Sequence, residues 1–350
     1  MAMARVVIIG CGSRTPLGYD YRSSAAAVRA GIDAITEHPF MVDRFGQPMK
    51  VTRDAELDAN LTGSARLAAL IVPAARAALE GIAEANPPAK IALALGVGEQ
   101  RPGQDAGTGA AVASALCKAL DSLSEIIEVR QWMGGHAGGI AAMETAQRLI
   151  AEGSAEIVLA AGVDSYLGPE TLEWLDETEQ LHSEENIYGF CPGEAAGAVL
   201  ITRADTARML GRVPLLELVS VGSGIEKNRI KTEDICIGEG LAAAFRAAAT
   251  PLDGKEKVDR ILCDMNGERY RGNEYGFAVL KNAGLFRNAA DFEAPADCWG
   301  DVGAASGPLY ACLTVEAEAR GHSKGPLTLI WAGSEAGQRS AAVLRRTGDV

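Results

Sequence analysis

Hydrophobic and polar positions in this chain follow a recurring cycle. A short apolar run leads into a glycine-rich turn, and then into a stretch whose apolar residues return every three or four positions. Arg5-Val6-Val7-Ile8-Ile9-Gly10 predicts a strand covered on both faces. Ser23 to Gly31 predicts a short helix capped by Ser23 or Ser24 and ended by Gly31. Residues 36 to 62 are irregular and polar, Ser64 to Ala83 predicts a strong helix, and Lys90 to Gly96 an apolar strand. A glycine-rich loop over 100 to 110 precedes a helix over Ala111 to Leu123.

Gln131 to Ser165 shows the cycle most clearly. The turn Gly134-Gly135-His136-Ala137-Gly138-Gly139 opens a helix with Ile140, Met143, Leu149 and Ile150 on one side. Glu144, Gln147, Arg148 and Glu152 lie on the other, and Gly153 stops the helix where a positive φ costs glycine nothing. Glu156 to Ala161 is then an apolar strand, and Gly168 to Glu185 an acidic surface excursion. Cys191-Pro192-Gly193-Glu194 turns into a strand ending at Ile201.

The second half repeats these events. Leu215 to Val221 predicts a strand, Gly240 to Ala249 a helix, and Val258 to Cys263 a strand running into Asp264-Met265-Asn266-Gly267-Glu268. A turn from Gly300 to Gly307 opens a helix that stops at Gly321, and strands follow at Leu327 to Trp331 and Ala341 to Leu344. Gly98-Glu99 matches Gly267-Glu268 at an offset of 169, Gly135 matches Gly300 at 165, and Gly162 matches Gly333 at 171. Such spacing implies two similar α/β halves packed as one body, 1–205 and 206–350, with a site shared between them.

Composition narrows the function. The 350 residues carry a net charge of −13 with scattered basic residues, which argues against a nucleic-acid partner. No apolar stretch approaches a membrane span, and the start MAMARVVIIG is too short in its apolar part for a signal peptide, so a cytoplasmic location is expected. Seven cysteines without CxxC pairing suit reduced thiols, and four histidines leave little material for a metal site; neither a metal nor a cofactor is expected. A dinucleotide fingerprint at Gly10 to Gly18 fails, because it needs glycine at Thr15 and a helix where Pro16 and Gly18 stand.

A single side chain held on a glycine turn at a helix start is how a nucleophile is presented, and here it is His136; such turns also serve as simple packing points. Several segments, taken in order, carry a family pattern. They are Arg14-Thr15-Pro16-Leu17-Gly18 with the helix after it, Arg148-Leu149-Ile150 through Gly162, Pro192-Gly193-Glu194-Ala195-Ala196-Gly197-Ala198, and Gly303-Ala304-Ala305-Ser306-Gly307. Together they resemble the thiolase-like superfamily, and within it the β-ketoacyl synthases of fatty-acid and polyketide metabolism. The resemblance implies an α/β fold, a five-layered α/β/α/β/α sandwich built from two similar halves, and a homo- or heterodimer acting on acyl thioesters.

The family's Cys-His-His triad does not carry over. By the resemblance, the cysteine's position falls on His136, the first histidine's on Asn266, and the second's on Gly300, or on Asp301 if one residue is deleted. The family's lysine has no counterpart between Asn282 and Trp299, and Trp331-Ala332-Gly333-Ser334 replaces its glycine-phenylalanine loop. A helix N-terminus disfavours imidazolium, so His136 is expected to be neutral. An acyl-imidazole also hydrolyses too readily to store a growing chain. Cys263 and Cys298 lie close in sequence to Asn266 and Gly300, and Cys191 precedes the Pro-Gly-Glu turn, but core positions are the common role of such cysteines.

Two readings of the site follow. His136, Asn266 and Asp301 converge for acyl-thioester hydrolysis, acyl transfer or decarboxylation, with His136 as base, Asp301 orienting it and Asn266 donating to an oxyanion. Alternatively the three fill a dead site, with Asp301 serving as a helix N-cap. The second reading makes the chain a degenerate synthase homologue that binds acyl-CoA, acyl chains or an acyl carrier protein, or pairs with an active ketosynthase as chain-length factors do. A third possibility is a structural interaction protein whose acyl tunnel is filled. Docking an acidic carrier protein on this acidic chain calls for a local basic patch such as Arg269 and Arg271.

Overall fold

The computed structural model describes residues 5–82, 89–229, 232 and 234–348. The chain begins with β1 (Val6–Arg14), α1 (Tyr21–Arg29), β2 (Ile35–Val42), β3 (Pro48–Thr52), α2 (Gly63–Leu79), β4 (Ala89–Val97) and α3 (Thr108–Leu120). It continues through β5 (Ser124–Met133), α4 (Gly138–Glu152), β6 (Ile157–Ser165), α5 (Pro169–Glu177), β7 (Glu194–Arg203) and α6 (Ala204–Met209). The second half comprises β8 (Leu216–Ile225), α7 (Glu239–Ala249), β9 (Arg260–Cys263), α8 (Arg269–Lys281) and β10 (Phe292–Glu293). It closes with α9 (Ala296–Trp299), α10 (Ser306–Ala319), β11 (Leu327–Gly333) and β12 (Gln338–Arg346).

The strands lie in the order β10-β9-β11-β12-β8-β1-β7-β6-β4-β5. From the central β1–β8 pairing outwards, each half runs through the same order with the same senses. The first two contacts are antiparallel (β1–β7–β6 and β8–β12–β11) and the outer two parallel (β6–β4–β5 and β11–β9–β10). Helices α4 and α10 pack against each other between the halves, α2 and α3 cover the outer face of one, and α7 and α8 that of the other.

Three of the four apolar clusters among the described residues fill the spaces between layers. Alternation along β6 divides them: Val158 and Ala160 join the central core around α4 and α10, while Ile157, Leu159, Ala161 and Val163 join the core under α2 and α3. Phe245, Tyr275 and Trp331 anchor the third, beneath α7 and α8. Such nearly continuous apolar strands are what a sheet covered on both faces requires.

Local expectations differ from the structure in several places. Helix α1 is capped by Asp20, whose carboxylate accepts from Arg22 N and Ser23 N at 2.9 and 3.0 Å, not by Ser23 or Ser24. Residues 36 to 62 are not irregular throughout: β2 and β3 pair as a hairpin whose first strand is largely solvent-facing, so no apolar alternation marks it. Both β5 and α8 escape the apolar pattern altogether. Helix α5 occupies part of the acidic excursion. The predicted end of α2 at Ala83 lies outside the described residues. Gly153 does end α4 with φ +73°.

Glycine is needed where the central helices start. A Cβ on Gly139 or Gly162 would run into the carbonyl oxygen of Ala304, and one on Gly307 into Ile140. The two glycine turns therefore let α4 and α10 begin in contact, which brings residues 136 and 301 face to face.

Candidate functional site

His136 sits on a short 3₁₀ turn ahead of α4 and is 2% exposed. Its Nε2 donates to both carboxylate oxygens of Asp301, at 2.7 and 2.8 Å. Asn266, just past the end of β9, donates through Nδ2 to Asp301 Oδ2 at 2.6 Å and to Glu268 Oε2 at 3.0 Å. The structure thus brings His136, Asn266 and Asp301 together, with the carboxylate at the centre. Gly300 does not face the imidazole. Its φ of +72° turns the chain beneath Thr52 and the Cys191 carbonyl, and so presents the next residue. Asp301 Oδ1 also accepts from Gly303 N at 2.9 Å and holds the turn ahead of α10.

Arg271, in the first turn of α8, completes the cluster. Its side chain is 2% exposed and donates to Asp264 Oδ2 at 2.7 Å, to the Gly333 carbonyl at 2.8 Å and to Glu268 Oε2 at 3.3 Å. Its Nη2 lies 3.3 Å from His136 Nε2. The expected carrier-docking patch of Arg269 and Arg271 is therefore absent: Arg269 is exposed and stacks on Tyr188, while Arg271 points inward. Residues 333 and 334 brace the His136 turn and its surroundings. Ser334 Oγ accepts from Ala137 N at 2.9 Å and donates to the Gly134 carbonyl at 2.5 Å, and Gly333 N donates to Asp264 Oδ2 at 2.7 Å.

Electrostatics work against the expectation of a neutral imidazole. Burial is the largest influence on His136 and lowers its pKa, but the Asp301 carboxylate outweighs both burial and the Arg271 guanidinium, leaving it above its ordinary value. A carboxylate at hydrogen-bond distance is a whole charge, whereas the helix end contributes a fraction of one. Burial opposes ionisation of Asp301, yet His136, Arg271 and the Gly303 N–H together hold its carboxyl far below the usual range. Glu268 is pushed up by burial despite Arg271. Two buried bases, the His136 imidazole and the Arg271 guanidinium, thus face two buried carboxyl groups, Asp264 and Asp301.

Nothing in this arrangement supplies a nucleophile. His136 Nδ1 is buried without a hydrogen-bond partner, so no hydroxyl or thiol is relayed to the imidazole. The Ala137 N–H, a natural oxyanion donor at the helix start, is already taken by Ser334. The neighbouring cysteines are core residues. Cys263 Sγ contacts the Glu293 carbonyl and Cys298 Sγ that of Val28. Burial raises the Cys263 thiol and pushes Cys191 up to about 12. A cleft of about 390 Å³ lies beside the turn, lined by Glu99, Met133, Tyr166 and Trp174 among others, but His136, Asn266 and Asp301 do not line it.

Among the described residues, Glu226, Cys236 and Glu274 place possible metal-ligand atoms within 4.8 Å of one another. Both oxygens of Glu274 are taken by Arg339, at 2.6 and 2.9 Å, and Glu226 accepts from Gly240 N, so their lone pairs are largely spent on the protein.

Residues 134–207 match the family model of the β-ketoacyl synthase N-terminal domain. No curated protein matches. Among solved structures, AntDE:AntF, a type II PKS acyl-carrier protein in complex with its ketosynthase bound to the hexaketide, superposes with a TM-score of 0.79 at 15% identity, covering 99% of this chain and 100% of that one. This chain has the ketosynthase fold. The ishigamide ketosynthase/chain length factor matches this fold at a TM-score of 0.73 and 22% identity, over 98% of this chain and 100% of that one. A β-ketoacyl synthase from Burkholderia phymatum STM815 gives 0.76 and 17%, over 99% and 100%. The same ketosynthase fold carries, at its shared turn, the closed set His136, Asn266, Asp301 and Arg271. No helix among the described residues is long and apolar enough to cross a membrane.

Proposed function

We propose that this ketosynthase-fold chain does not perform cysteine-dependent condensation and acts as the non-catalytic partner of an active ketosynthase, in the manner of a chain length factor. The observation that carries the reading is the closure of His136 on Asp301, at 2.7 and 2.8 Å, where the resemblance places a thiol and, with one residue deleted, an imidazole. Both groups are spent on each other, and the neighbouring Asn266, Gly303 and Arg271 donors are engaged within the protein. A second chain has a place to dock. Strand β5 ends the ten-stranded sheet, with one edge unpaired among the described residues and with Ile127 and Val129 44% and 40% exposed.

Incubation with octanoyl-CoA, followed by intact-protein mass and free-CoA measurement, tests the reading. Neither an adduct nor CoA release is expected. An adduct on any residue would identify a nucleophile and end the proposal. CoA release lost in His136→Ala would establish the alternative, an acyl-thioester hydrolase with His136 as base. Sedimentation tests the docking edge: replacing Ile127 and Val129 with lysine should abolish association through β5, and unchanged association would remove that edge as the interface.

A further inference from the structure

Ketosynthase chemistry at this turn requires more than a thiol; it also requires room for the acyl group. An atom of residue 136 that attacks a thioester carbonyl must stand about 3–3.5 Å from it. His136 Nε2 reaches beyond the γ position that a thiol sulfur would take, into the space the acyl carbon would need, and there it already meets Asp301 at 2.7 Å and Arg271 Nη2 at 3.3 Å. The guanidinium is not a mobile neighbour, because Asp264, Glu268 and the Gly333 carbonyl hold it from separate segments of the chain. Charge-assisted hydrogen bonds of this kind fix both position and orientation.

We propose that Arg271 plugs the acyl position, so that the site is closed twice, once by His136 in place of a thiol and again by the guanidinium. The inference rests on the reading of the chain as a silent ketosynthase-fold subunit, and it names what that subunit excludes: an acyl thioester at residue 136.

The test returns the thiol with and without the plug. His136→Cys is compared with the triple variant His136→Cys/Asp264→Asn/Arg271→Met, which removes the guanidinium together with its nearest carboxylate and leaves Asp301 held by the Asn266 and Gly303 donors. Each protein is incubated with octanoyl-CoA, and adducts are mapped to residue 136 by peptide mass. In the step followed, the sulfur introduced at residue 136 bonds to the acyl carbon, the bond from that carbon to the CoA sulfur breaks, and the thiol proton passes to the CoA thiolate. Acylation of the triple variant should be faster than that of His136→Cys by on the order of 100-fold, the usual effect of a reactant held out of position.

Fast acylation of His136→Cys alone overturns the plug, and so does a folded triple variant that remains unreactive. Should the triple variant not fold, His136→Cys/Arg271→Lys answers the same question, because it keeps a cation beside Asp264 but narrows the head group; acylation there no faster than in His136→Cys overturns the proposal. Acylation of the unmodified chain sinks the silent-subunit reading instead, so the two failures are separable.

Discussion

Asp301→Ala is the sharpest perturbation of the cluster. It removes the acceptor of His136 Nε2, Asn266 Nδ2 and Gly303 N in a single step. It also leaves His136 and Arg271 3.3 Å apart without the carboxylate that separates their charges. Removing one partner of a buried ion pair costs about 3–5 kcal/mol, because the survivor is stranded in a poorly solvating interior. Unfolding entropy near the melting point is about 2.1 cal/mol/K per residue, or roughly 0.7 kcal/mol/K over 350 residues, so the apparent Tm should fall by about 4–7 °C. Thermal melts followed by circular dichroism at pH 6 measure this, with alanine at exposed Glu185 as the control. His136→Ala/Asp301→Ala should melt above Asp301→Ala, since both charges leave together. A fall below about 1 °C, or additive losses in the double variant, would refute the picture of a coupled buried pair.

Other expectations follow from the same geometry. The His136 pKa is raised by folding, so the stability it contributes is complete below its unfolded value of about 6.5 and is lost as the pH rises through the folded value. Asp301 is lowered, so its share is present above about 3.9 and is lost as the pH falls through its folded value. Raising the pH from about 6.5 should therefore lower the Tm of the unmodified chain more than that of His136→Asn; parallel curves would contradict the assignment. Gly162→Ala, which forces a Cβ into the Ala304 carbonyl oxygen, should cost about 3 kcal/mol in urea unfolding, and a loss under about 1 kcal/mol would mean that the halves are not in fixed contact there. Iodoacetamide at pH 8 should leave Cys191 and Cys263 unmodified in the native chain while both react in urea; native modification of Cys191 at a free thiol's rate would refute its raised pKa.

Much of the fold is legible along the chain because buried strands and central helices must be apolar in a regular pattern. The run Ile157 to Val163, the stop at Gly153 and the paired turns near 136 and 301 all report local requirements of backbone and burial. What escaped was structure with no apolar signature. The β2–β3 hairpin and edge strand β5 show much of their surface to water. Helix α8 inverts the pattern, burying Arg271 and Glu274 while leaving Phe277 and Leu280 40% and 74% exposed.

The chain's own order of residues pointed to two α/β halves and to a site shared between their turns, and it left open whether Gly300 or Asp301 belongs to that site. Its charge state and its closure belong to the packed molecule. Whether Gly300 or Asp301 meets the imidazole depends on a turn with φ +72°, and whether His136 carries a proton depends on a carboxylate 165 residues away. Arg271, remote in sequence from His136, reaches it only because α8 docks beside β9 and β11. Ionisation and steric closure depend on distances of a few ångströms between segments far apart in sequence, and neither periodicity nor composition encodes such distances.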